Sequence, residues 1–545
     1  MQEEFFDAFR HIFVFLWIWS FFPCIYVMGS SLVTDKSTEI EIRAFRLQQY
    51  EYAGKQIGSK NWRVTYEAVS LNGSALRKCM IVSWRDLIHR ELETTIGAAV
   101  GAILVIIPEK LDSLVEKEIQ EFQMVEKKFA DFRTEQAVYF VPKRSDSIDY
   151  LMQSVAIASK RAPSAVQSLY NAVASNNFHI TSSSTATANV ASPKNYNIIG
   201  QLNAGERGRP YLLIVAHYDT HSILPGYGKG VDSNGSGMAA LLELLAILSR
   251  FYSDPANRPK LNIVFLLSAA GKYNYQGARQ YIEEFQERRS DESIVHSLCL
   301  DSLAGGNALN FHVAKAPTEG SSAAYKILQH LKNFANKDRP VRVVTKKINL
   351  SAERLAWEHE MFNKMRVHSA TISHFENHAN PMRTSLLDTR SNIDESVFVE
   401  NVQVIANALV SFAYDLDSSL CAGSNKGCSL LSKGSGVERN RLLAWLDTFT
   451  SSPRPAAATQ TKLVADLNNV VERYAHKTTV SEVNMVDFVL YDIFDDKLVA
   501  NIVKPAIFEL FLAAIIGVYL FAVYQLSLNA QTILDGTVTK LRKFV

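Results

Sequence analysis

Cysteine is scarce in this chain: five among 545 residues cannot build the disulfide framework that holds small secreted scaffolds together. An excess of either charge is also missing. The 57 basic and 55 acidic side chains give a formal net charge of +2, which offers no reason to invoke nucleic acid or an acidic substrate. No internal repeat is present. What remains, 47% hydrophobic and 21% charged residues, is an ordinary globular composition, and the length suits one large domain with additions. Of the cysteines, Cys79 and Cys299 lie in apolar surroundings and read as buried thiols. Cys421 and Cys428 share a Ser/Gly-rich loop and are candidates to pair.

Two long apolar runs break this picture, one near each end. Residues 12–28 are almost wholly apolar and are followed by Gly29-Ser30-Ser31, small residues that suit a cleavage site. Glu3, Glu4 and Asp7 make the preceding stretch more acidic than a signal usually is. We read 1–31 as a signal peptide, with a retained anchor as the alternative. Residues 505–528 are long enough to cross a bilayer and carry Glu509 as their sole charge. Asp492, Asp495 and Asp496 precede them, and Lys540, Arg542 and Lys543 follow. The positive-inside rule then predicts a transmembrane helix, a cytosolic tail over 529–545 and a lumenal bulk. Three sequons, at Asn72, Asn234 and Asn349, agree with that side. Asn234 lies inside the candidate site loop and is the weakest glycosylation candidate.

Between the runs the pattern is mixed. Residues 32–194 read as a smaller N-terminal α/β region, with strands over 99–107 and 137–141, a helix over 109–131, and a Ser/Thr/Ala-rich loop over 181–192. Residues 195–417 alternate strands (211–216, 261–268, 294–300, 309–313, 341–348, 369–375) with helices (237–252, 276–288, 322–334, 352–365, 397–416). This predicts an α/β fold whose central mixed, mostly parallel sheet is flanked by helices. Residues 418–504 read as a linker, with amphipathic helices over 437–449 and 461–475 leading toward the membrane.

Chemistry-bearing residues collect at the ends of these strands. His217-Tyr218-Asp219 closes an apolar strand, Asp232 follows thirteen residues later in a Gly-rich loop that opens an apolar helix, and Asp301 closes another strand. In open α/β sheets, ligands gather at that edge. With Gly230-Val231-Asp232-Ser233-Asn234-Gly235-Ser236-Gly237 and Leu300-Asp301, these residues resemble the M28-type zinc aminopeptidases over about 195–416. That resemblance implies zinc ligands at His217, Asp301 and a bridging Asp232, with Asp219 orienting the histidine.

The other half of such a site is missing. The family's Glu-Glu pair, its general base and a ligand, maps to Gly271 and Lys272, and its final histidine ligand maps to Thr384. Lys272 would bring a positive charge to the place of a cation and is the expected counter-charge to the three aspartates. No catalytic residue, metal or cofactor is therefore expected.

The whole chain, through the run from Ser268 to Gly277, resembles the nicalin family, relatives of the γ-secretase subunit nicastrin. The resemblance implies a non-enzymatic subunit of the endoplasmic reticulum membrane. It would work with a nodal modulator-like protein and a small polytopic membrane protein, beside the translocon, in biogenesis of multi-span proteins. A nicastrin-like substrate receptor and a cryptic zinc aminopeptidase are the alternatives.

Overall fold

In a computed structural model the described residues are 39–541, apart from 74–75, 98–99, 145, 160–176, 184–189, 192, 207, 289–291, 319, 321, 418–427, 433 and 504–505. The expected signal segment and Cys421 fall outside them. Cys79 and Cys299 are free and buried, whereas Cys428 is disulfide-bonded.

Alternation decides the larger layer. In the strand Tyr211–His217 the even residues Leu212, Ile214 and Ala216 face one apolar cluster, while Tyr211, Leu213 and Val215 face another. A strand buried on both faces is apolar throughout. Eight strands form the sheet. Its centre, in the order Ser369–Ser373, Ile294–Leu300, Tyr211–His217, Asn262–Ser268, is parallel. Asn195–Leu202 and Lys477–Val483 extend one side antiparallel. On the other side Leu309–Val313 pairs antiparallel with Ser369–Ser373 and parallel with Val341–Thr345. Helices Gly237–Ser253, Ala323–Phe334, Glu395–Ala413, Arg439–Thr450 and Thr461–Tyr474 cover one face. Gln276–Arg288 and Glu358–Lys364 cover the other.

The smaller layer is not the simple α/β region that the sequence predicts. Seven strands close into a barrel, and one of them, Asp495–Val503, comes from outside 32–194. The first described strand, Glu39–Arg46, pairs with Asp495–Val503 over seven residues, so the two ends of the described globular part meet in one sheet. Residues 418–504, expected as a linker with two amphipathic helices, do form those helices, as Arg439–Thr450 and Thr461–Tyr474, but pack them into the core and add three strands; Leu442, Leu446, Leu467 and Val471 are buried in the main cluster. Strand periodicity was hard to see there because Lys477–Val483 is an edge strand exposed along most of its length.

The helix predicted over 352–365 is confined to Glu358–Lys364. The residues before it are held by tertiary contacts instead: the Leu355 N–H donates to Asn274, and the Glu353 carbonyl accepts from Asn274 at 3.0 Å. The final helix, Ala506–Leu541, continues past the predicted limit of the apolar run. At 1.5 Å per residue it is about 54 Å long.

One buried ion pair ties the layers of helices together. Glu243, fully buried in Gly237–Ser253, accepts from Arg441 Nε and Nη2, both at 2.7 Å, and from the Glu438 N–H at 2.8 Å. Arg441→Ala leaves that carboxylate buried and unpaired, and should cost about 3–5 kcal/mol in denaturant unfolding. The double variant Glu243→Leu with Arg441→Leu should recover much of the loss; if it unfolds as easily as the single variant, the desolvation argument is wrong.

Candidate functional site

The cleft lies where the parallel strands end, and the route by which each side chain reaches it is local. Gly230 adopts φ 55°, and a Cβ there would sit 2.7 Å from the Thr220 methyl; glycine alone permits this tight entry to the helix. The turn that follows Asn262–Ser268 carries Ala270 at φ 51°, and Asp219 holds it. The two Asp219 oxygens accept the N–H groups of Gly271, at 2.6 Å, and of Lys272, at 3.0 Å. Asp219 therefore caps a turn, and the orienting role implied for it passes to others. His217 Nδ1 faces Asn234 at 3.4 Å and Glu358 at 3.5 Å.

The fold brings His217, Asp219, Asp232 and Asp301 into one buried region, but each aspartate already has its own partners. Asp301 Oδ2 is paired with Arg383 Nη2 at 2.5 Å, and Oδ1 accepts from Ser302 at 2.7 Å. Burial pushes its carboxyl up, but Arg383, Lys272 and His217 outweigh burial and hold it well below the usual carboxylate range. Asp232 Oδ2 is 2.6 Å from His374 Nε2, while Oδ1 accepts from Ser236 and the Ala304 N–H, both at 2.8 Å. Lys272 Nζ donates to Ser233 Oγ at 2.6 Å and to the Arg383 carbonyl at 3.0 Å. Burial brings its pKa down to about 8.

The expected counter-charge is thus shared: Arg383 and His374 bond the carboxylates directly, while Lys272 bonds neutral oxygens and acts on Asp301 through space. Thr384, where the resemblance implies that a histidine ligand is lost, is exposed, and its neighbour Arg383 reaches inward. Of the sequons, Asn72 and Asn349 are exposed, whereas the Asn234 side chain is buried and bonds the carbonyls of His217 and Leu300.

Do these residues fit zinc? His217 Nε2 is buried without a partner, as a ligand atom would be. Against that, Asp232 and Asp301 each give an oxygen to a nitrogen base of the protein, and the ammonium of Lys272 stands in the same cleft. Among the described residues no three His, Cys, Asp or Glu side chains are arranged to hold a metal. The donor set does not fit the ion.

Three participants escaped the sequence reading. Arg383 stacks on Trp357, 4.1 Å from the ring centroid. Glu358, buried, accepts from Ser268 Oγ at 2.8 Å. Asp388 accepts the N–H groups of Asp232 and Ser233, both at 2.8 Å; burial and the neighbouring Asp232 push it up to about 7. The acidic run Glu358-His359-Glu360 was the available signal for Glu358. Nothing local marks Arg383.

The loop bearing Arg383 and Asp388 is held from the barrel side. Glu126 accepts the Leu386 N–H at 2.7 Å and bonds Ser385 Oγ. Burial raises Glu126 to about 7.

Comparison with known proteins places this geometry. A family model described as Peptidase family M28 matches residues 197–409. Nicalin of Caenorhabditis elegans is 36% identical over 100% of both chains. The BOS complex subunit ncln of Danio rerio is 30% identical over 92% of this chain and 93% of its own. Among solved structures, the gamma-secretase component nicastrin superposes with a TM-score of 0.56 at 12% identity, covering 86% of this chain and 100% of that one; this likeness is one of fold.

Gly271 has no room for a side chain, since a Cβ there would lie 2.2 Å from His217 Cβ. Gly271→Glu should therefore lower the melting temperature and yield no aminopeptidase activity; a variant that melts with the wild type would refute the clash. A second expectation concerns pH. The folded chain holds the Glu126 proton to about 7, above the ordinary 4.5, so it binds more protons than the unfolded chain in that window. That stabilisation is present below the unfolded pKa and is lost as pH rises through the folded one. The gain in melting temperature of Glu126→Gln over wild type should grow between these limits, and a pH-independent difference would contradict the assignment.

Proposed function

The chain belongs to the family of nicalin and the BOS complex subunits, and on that premise we propose that it is a non-catalytic subunit of an endoplasmic reticulum membrane complex. The observation that carries this reading is the turn at Gly271-Lys272. The positions where a related peptidase needs two carboxylates hold a glycine packed on His217 and a lysine bonded to Ser233. A hydrolase without its base loses most of its rate, so the retained fold serves as a scaffold.

Membrane attachment is assigned to the helix Ala506–Leu541. Leu510, Ile515, Val518, Leu520, Phe521 and Tyr524 on it are all exposed, and a bilayer is the medium that covers such a surface. Two other helices are apolar and long enough to cross, but Val231–Ser253 is wholly inside the fold and Glu395–Ala413 mostly so. With residues 529–545 cytosolic, the bulk is lumenal, where exposed Asn72 and Asn349 take glycans. The partners proposed are a nodal modulator-like protein, a small polytopic membrane protein and the translocon, in biogenesis of multi-span proteins.

Purification of the full chain in mild detergent, with identification of what accompanies it, tests the reading. Translocon components and multi-span proteins should co-purify; recovery with an intramembrane protease instead, or aminopeptidase activity that is lost in His217→Ala, would overturn it. A glycosidase-sensitive mobility shift should disappear when Asn72 and Asn349 are both changed to Gln.

A further inference from the structure

The cleft in front of Arg383 opens into a cavity of about 390 Å³, within the range of ligand sites. Its walls come from separate parts of the fold: Tyr50 from the strand Gln49–Tyr52 of a third, five-stranded sheet, Tyr273 and Tyr275 from the turn after Asn262–Ser268, Arg354 from the irregular segment before Glu358–Lys364, and Arg383 from the loop held by Glu126. The aromatic side is built edge to face. Tyr50 and Tyr273 lie 5.8 Å apart, and His221 lies 5.9 Å from the first and 5.3 Å from the second.

The charges lining it are unequal. Lys127, Lys272, Arg354 and Arg383 face Glu126 and Asp131. Both Glu126 oxygens are already bonded to Ser385 and Leu386, and Arg383 is matched by Asp301. Lys127, Lys272 and Arg354 are left without an ion-paired carboxylate among the described residues, and the last two stand beside the aromatic wall. Arg354 is nonetheless positioned: its Nη2 donates to the Tyr50 hydroxyl at 2.8 Å, and its guanidinium lies 5.9 and 5.7 Å from the Tyr50 and Tyr52 rings. Lys272 uses two donors on neutral oxygens and has a third to give. Lys272 is half-buried and Arg354 exposed on the cavity wall, and cations that bond no carboxylate beside aromatic walls favour an anion carried on a partly apolar chain.

We propose that this cavity binds a peptide carboxylate, held by Lys272 and Arg354 with the chain lying against Tyr50 and Tyr273. The site deepens the scaffold reading by giving the same cleft a ligand. The polarity is opposite to that of an aminopeptidase, which must accept a peptide amine. A chain terminus and an acidic side chain share this carboxylate chemistry, and the probes separate the two.

The test titrates the full chain in detergent, at fixed salt, with four peptides: acetyl-Gly-Phe-Gly with a free C-terminus, acetyl-Asp-Phe-Gly-amide, acetyl-Gly-Phe-Gly-amide, and Gly-Phe-Gly-amide with a free N-terminus. At least one of the two carboxylate peptides should bind about tenfold or more tightly than the neutral one, the scale of a charge-assisted hydrogen bond. Which one does so identifies the source. Arg354→Gln, at an exposed position, should abolish the difference without lowering the melting temperature, and Lys272→Met should do the same to the binding. Equal binding of all four, preference for the amine, or no binding overturns the inference. Co-purifying partners are read from the same preparation. Their retention alongside failed peptide binding would remove this inference and leave the scaffold reading standing.

Discussion

A carboxylate taken out of water must be given a counter-charge or donors, and this requirement organises the cleft. Asp301, Asp232 and Asp219 sit together at the ends of parallel strands, where three uncompensated charges would repel. Each is satisfied from a different source: Asp301 by the Arg383 guanidinium, Asp232 by His374 and the Ser236 hydroxyl, Asp219 by two backbone N–H groups. A related hydrolase would leave this task to metal ions. Here the protein supplies fixed cations of its own at the strand ends.

The same requirement links distant parts of the chain. Arg383 reaches Asp301 only because its loop is placed, and that loop is gripped by Glu126 from the barrel. The five-stranded small sheet, whose middle strands are Phe488–Tyr491, Gln49–Tyr52 and Lys55–Ser59, packs over the turn at Ala270 and Tyr273. Barrel, small sheet and main sheet therefore share the cleft. A change in any of them reaches it through packed side chains, which do not deform continuously.

Much of the main sheet was legible beforehand, for a physical reason. Apolar runs such as Tyr211–His217 and Ile294–Leu300 are buried on both faces, so burial writes them into local composition. The motif His217-x-Asp219 with Asp232 and Asp301 was legible because strand ends converge on one edge. Illegible were the strand Asp495–Val503, which finds its partners at Glu39–Arg46 and Asn177–Ser182, and the short extent of Glu358–Lys364. In both cases long-range pairing outweighed local preference.

The sequence by itself determined that Gly271 and Lys272, and no carboxylate, stand just after the strand that ends at Ser268, and that residues 505–528 are apolar enough for a bilayer. These are matters of residue identity and order. Which cation meets which carboxylate was decided only by the tertiary structure. Lys272 lies 29 residues before Asp301 in sequence, yet its ammonium points to Ser233 and the Arg383 carbonyl, while Arg383, 82 residues after Asp301, makes the ion pair. Coulomb attraction acts over a few ångströms of space, and only folding sets which groups lie that close.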